Sequence, residues 1–98
     1  MGALDLGLER HDGTIVVSVA GEVDMATAPE LREWLAQTGG HVIVDLRAVS
    51  FLDSSGIGAL VEATSRLVEA GGDLRLRKPQ PIVRQVLEVT GLADWIDN

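Results

Sequence analysis

Two hydroxyls stand side by side in Asp53-Ser54-Ser55-Gly56, directly before a stretch whose apolar positions recur at helical spacing. The start of a helix presents unpaired backbone amides and the positive end of the helix dipole, so this turn tolerates an anion, a phosphate included. Capping needs only one hydroxyl or carboxylate and contributes about 1 kcal/mol. A serine serving as that cap is the simplest use of the motif. Three candidates in a row nevertheless exceed what one cap requires, and Gly56 and Gly58 let another molecule approach the backbone closely.

Other chemistries fit less well. Gly56-Ile57-Gly58 followed by Val61 lacks the third small residue of a dinucleotide fingerprint, and Asp73 precedes Leu74 instead of following the next strand. His11 falls in an expected hairpin turn, and His41 opens a strand at the end of the sheet opposite Ser55. Neither supplies Ser55 with a base. Two isolated histidines without cysteine make no metal set, so no catalytic residue, metal or cofactor is expected. Asp45 serves to end a strand and Asp53 to cap a helix. Asp24 differs, because Thr27 already fits an N-cap and leaves this carboxylate without a structural task. Trp34 and Trp95 read as packing residues.

The elements that position these residues follow from hydrophobic period. Leu4, Leu6 and Leu8 alternate, Asp12-Gly13 is a hairpin signal, and residues 14–20 are rich in β-branched side chains, which predicts a hairpin with the leucines inward. Gly21-Glu22-Val23-Asp24 leaves the second strand. Thr27 and Glu30 have capping-box spacing ahead of a helix with Leu31, Trp34 and Leu35 on one face, ending at Gly39-Gly40. Residues 42–46 read as a central strand buried on both faces. The next helix carries Ile57, Leu60, Val61, Thr64, Leu67 and Val68 as its stripe, up to Gly71-Gly72. A strand with Leu74 and Leu76 inward follows, then a helix opened by Pro79 and Pro81 with Ile82, Val83, Val86 and Leu87 inward. Residues 92–96 add a short final strand.

This order, β-β-α-β-α-β-α-β, describes a single α/β domain over residues 1–98, with parallel strands from residue 42 onward. Functional loops in such sheets collect at the carboxyl ends of strands, which makes the loops around Asp24 and Asp53 neighbours. With 98 residues, 8 Lys and Arg against 15 Asp and Glu, and no Cys, the net charge is −7. One core fits that length. The acidic balance disfavours direct binding to nucleic acid or anionic membrane. No apolar run is long enough to span a bilayer, and residues 1–9 lack a signal-like core, so a cytoplasmic monomer is expected.

Gly21-Glu22-Val23-Asp24, Ala26-Thr27-Ala28 with Leu31, the strand at 42–46 and Phe51-Leu52-Asp53-Ser54-Ser55-Gly56-Ile57-Gly58 resemble, in that order, the STAS domain of bacterial anti-sigma-factor antagonists. The resemblance implies a mixed four- to five-stranded sheet flanked by helices, and a protein that binds instead of catalysing. Its unmodified form would engage an anti-sigma factor with serine kinase activity and free the sigma factor. Phosphorylation on the second serine, Ser55, would end that binding, and a PP2C-like phosphatase would restore it. Asp24, Asp53, Ser54 and Gly56 would form the surroundings of the phosphosite and the docking surface. An accessory subunit of a membrane transport complex, with the serine loop as a fixed docking surface, is the alternative. The resemblance also implies a further helix after Gly91-Leu92, where this sequence reaches Asn98 within a few residues.

Overall fold

Asp12 and Gly13 both take positive φ, 49° and 86°, the conformation that two-residue hairpin turns require. In the computed structural model, which describes residues 3–97, this turn joins β1 (Asp5–His11) to β2 (Thr14–Val23) with antiparallel register from Asp5–Ala20 to His11–Thr14. The ends of the expected domain, Met1, Gly2 and Asn98, lie outside the described residues. The chain continues through α1 (Ala28–Ala36), β3 (His41–Leu52), α2 (Ser54–Glu69), β4 (Asp73–Arg77) and α3 (Pro81–Val89). A short 3-10 turn at Ala93–Trp95 then leads into β5 (Ile96–Asp97). The sheet order is β1-β2-β3-β4-β5, and every pair after the hairpin is parallel. The mixed five-stranded sheet with three helices therefore stands as expected.

Register decides which side chains share a face. Ile15 lies opposite Val42 and Val42 opposite Leu74, while Val17 lies opposite Val44 and Val44 opposite Leu76. These residues join Leu31, Leu35, Leu60, Leu67, Val83 and Leu87, from all three helices, in one apolar cluster. The other face of the sheet carries Ser18, Asp45 and Arg77 in register. Burial of residues 42–46 on two apolar faces is thus not what the structure has. Asp45 interrupts the second face, and Ile43 beside it is only half-buried.

The largest departure is β3, which runs on to Leu52 well past the expected stop at Leu46. Its register against β2 shifts twice, so the side chains that reach the core are Leu46, Val49 and Leu52, three residues apart instead of two. Each shift is a bulge that re-aims the strand. The core stripe of α2 is also narrower than the sequence suggests. Ala59, Leu60, Ala63 and Leu67 face inward, whereas Val61 and Val68 are exposed. In α3, Val83 and Leu87 are buried but Ile82 is exposed and Val86 half-buried, and on β1 Leu8 is exposed at the sheet edge. At the far end of α1, Arg66 donates to Leu35 O (2.6 Å) and Thr38 O (3.0 Å). These bonds satisfy carbonyls that the helix end leaves open and tie α1 to α2.

Gly56 holds the closest contact between sheet and helix. A β-carbon there would lie 2.7 Å from Val23 Cγ1 and would also strike Leu52 Cδ1, and both neighbours are packed in the core. Alanine is favoured over glycine inside helices by about 1 kcal/mol, but overpacking costs about 1–3 kcal/mol, so Gly56→Ala is expected to be net destabilising. A urea midpoint that falls supports this packing account, and one that rises contradicts it.

Candidate functional site

The end of β2 and the start of α2 are joined by backbone. Asp53 N donates to Val23 O at 3.1 Å, and the Val23 side chain lies against Gly56. The turn carrying Asp24 is thereby set beside the turn carrying Ser54 and Ser55, as the strand-end argument expects. Asp53 is the N-cap of α2, and its Oδ1 accepts from Ser55 N at 2.9 Å. Capping is complete with that carboxylate. Ser54 and Ser55 occupy the first turn with their hydroxyls uncommitted to the cap, Ser54 exposed and Ser55 half-buried.

Asp24 also turns out to have a structural task. Its Oδ1 accepts from Ala26 N (3.0 Å) and Thr27 N (3.1 Å), and its carbonyl accepts from Ala28 N at 2.8 Å. The expected capping box is not formed. Thr27 is buried and donates from Oγ1 to Glu22 O at 2.8 Å, while Glu30 accepts from Leu4 N at 3.0 Å instead of reaching back along its own helix. Thr27 clamps the turn to the strand before it, while Asp24 closes the turn ahead of α1 on the amides of Ala26 and Thr27.

The remaining candidates lie elsewhere. His41 Nδ1 is 2.9 Å from Asp73 Oδ1 at the amino ends of β3 and β4, and His11, the last residue of β1 and not a turn residue, is 3.3 Å from Glu9. Trp34 is half-buried on α1, and Trp95 packs against the core. Among the described residues no three His, Asp or Glu side chains converge as a metal set, and no helix is long and apolar enough to cross a membrane. Two further apolar side chains on these segments are exposed, and neither residue's spacing marks it for a role. Met25, in the turn after β2, is 79% exposed, and Phe51, at the end of β3, is 44% exposed. Their signal was a large apolar side chain beside a polar turn residue, which period-two and period-3.6 counting passes over.

The STAS domain family model matches residues 5–98. The anti-sigma-B factor antagonist of Bacillus subtilis (strain 168) is 33% identical over 97 residues, covering 96% of this chain and 89% of that protein. Among solved structures, the chain is similar to the anti-sigma factor antagonist SpoIIAA in its unphosphorylated form, with TM-score 0.83 and 28% identity over 95% of this chain and 86% of that one. It is also similar to SpoIIAA of Bacillus in the phosphorylated form, with TM-score 0.76 and 26% identity over 95% and 89% of the two chains.

Asp45 stands apart from the serine turn. It sits within β3 instead of ending the strand, with Arg77 opposite it on β4, and is only 4% exposed. Its Oδ1 accepts from Arg47 N (2.9 Å) and its Oδ2 from Arg77 Nη2 (3.0 Å), with Arg47 Nη2 at 3.6 Å. Burial pushes the carboxyl up, but the Arg47 amide, the Arg77 hydrogen bond and the two guanidinium charges together outweigh it and hold Asp45 below the ordinary carboxylate value. A folded value below the unfolded one stabilises the protein above about pH 4, and the contribution is lost as pH falls through the folded value. Asp45→Asn is expected to cost about 1–2 kcal/mol near neutrality, a modest figure because the arginines are partly hydrated. Urea unfolding across pH should show that gap constant down to about pH 5 and narrowing below about pH 4. A gap independent of pH contradicts the assignment.

Proposed function

The chain belongs to the STAS domain family, and on that premise we propose that it is an anti-sigma factor antagonist switched by phosphorylation of Ser55. In its unmodified form it binds an anti-sigma factor that is also a serine kinase, and the sigma factor is released. The kinase transfers phosphate from ATP to Ser55, binding ends, and a PP2C-like phosphatase resets the cycle. The chain acts by binding, and the chemistry belongs to its partners.

The observation that carries this reading is the division of labour at the start of α2. Asp53 satisfies the helix end, so a hydroxyl at Ser55 is available without loss of the cap. A phosphate there adds about −1.5 to −2 charges. The amides and dipole of α2 favour that charge, while the Asp53 carboxylate in the same turn and Asp24 in the adjoining turn disfavour it. Met25 and Phe51 offer the apolar contacts of a protein interface, with exposed Ser54 as its small polar part, while Gly56 is buried against Val23 and Leu52 and shapes the surface only by setting where the turn lies. A surface shaped around a hydroxyl then meets a bulky dianion. A loss of about 2.8 kcal/mol is a hundredfold in affinity, so no refolding is needed to end binding.

Intact-mass analysis after incubation with ATP and the anti-sigma kinases of the same genome tests the proposal. Wild type and Ser54→Ala should each gain one phosphate, and Ser55→Ala none. Binding to the unphosphorylated partner should survive Ser55→Ala and weaken with Ser55→Glu, less than with the full dianion because glutamate brings one charge. Phosphate gained equally by Ser55→Ala contradicts Ser55 as acceptor. Absence of phosphate in every pairing points instead to a fixed docking loop, as in a transport-complex subunit.

A further inference from the structure

Arg32 of α1 lies across α2. Its Nε donates to Glu62 Oε2 at 2.6 Å, and its Nη2 lies 3.3 Å from the place a β-carbon on Gly58 would occupy. Ser55, Gly58 and Glu62 stand at positions i, i+3 and i+7, so they share one face of α2. The guanidinium therefore extends along that face from Glu62 toward the helix start, over the gap that Gly58 leaves. Ser55 is the next residue on the strip, about 4.5 Å further along the axis. No other Lys or Arg occurs in α1 or in residues 54–61.

We infer that Arg32 is the internal partner of a phosphate on Ser55, and that phosphorylation draws its guanidinium from Glu62 to the phosphate. The inference rests on the Ser55 reading above and adds a positioning residue to it. The Arg32 and Glu62 side chains are 41% and 64% exposed, and an ion pair so hydrated holds its members weakly. A phosphate dianion offers the planar guanidinium two oxygens and a larger charge. Asp24 and Asp53, carboxylates of the two adjoining turns, are bonded to backbone amides, and Glu22 at the end of β2 carries the same sign as the phosphate. Arg32 is thus the charge free to move. Its transfer frees the Glu62 carboxylate, so the docking face gains negative charge at two places about two turns apart.

Phosphoserine placed at position 55 by genetic-code expansion tests this without any kinase. The probe is the 31P titration of wild type, Arg32→Gln, Arg32→Lys and Arg10→Gln, the last removing a charge from the hairpin end of the sheet. Arg32→Gln should raise the phosphate titration midpoint by about 0.5 pH unit, the effect of one charge roughly 5 Å away in water. Arg32→Lys should recover part of that shift, and Arg10→Gln should leave the midpoint where it is. An unmoved midpoint in Arg32→Gln, or equal shifts in Arg32→Gln and Arg10→Gln, overturns the inference. Failure of kinases to modify Ser55 would count against the phosphoacceptor assignment and leave this titration intact, whereas kinase success with a flat titration would remove only Arg32.

Discussion

Everything at the candidate site depends on how closely α2 approaches the end of β2. Gly56 rests on Val23 and Leu52 with no room for a β-carbon, and the Asp53 amide bonds to the Val23 carbonyl. That contact fixes where the first turn of α2 begins. It also makes neighbours of two turns separated by a whole helix and strand in the sequence. The two bulges in β3 belong to the same constraint, because they bring Val49 and Leu52 onto the core face and so deliver the chain to Asp53 in the right direction.

Given that frame, the charges sort themselves by task. Asp53 and Asp24 are occupied by backbone amides, and Asp45 is held on the far face by two arginines. Each of the three carboxylates thus has a structural partner. What is left is a pair of hydroxyls at a helix start, with the Arg32 guanidinium over Gly58 about one turn along and exposed Met25 and Phe51 on the adjoining segments. Such an arrangement suits recognition by a partner. On the proposed reading it offers a partner two uncharged hydroxyls, one of which a phosphate would convert to a dianion.

Much of this was legible in the residues. Asp12-Gly13 specified the hairpin, the helical and strand periods gave the order of elements, and parallel strand ends predicted that the two loops would meet. The failures share a cause. Thr27 and Glu30 have capping-box spacing, but a threonine hydroxyl bonds whichever carbonyl tertiary packing brings near, here Glu22, and Glu30 finds the Leu4 amide from the first strand. Val61, Val68 and Ile82 fit helical stripes, yet α2 and α3 each present a narrower face to a single sheet surface than their apolar content allows. The bulges in β3 were hidden because one extra residue turns a period of two into three, and Arg47-Ala48 looks like the end of a strand. Arg32 was invisible for a simpler reason. Its importance lies in spatial proximity to Gly58, which no spacing within one helix reveals.

The central claim is that phosphorylation at Ser55 acts through local charge and shape on a backbone that stays as it is. Comparing amide 1H–15N spectra of the unmodified chain and the chain carrying phosphoserine at position 55 tests it most directly. The account predicts shifts confined to the turn after β2, the first turns of α2 and the Arg32 region, with β4, α3 and the hairpin end unmoved. Large shifts spreading through β4 and α3 would mean that the domain rearranges, and would contradict it.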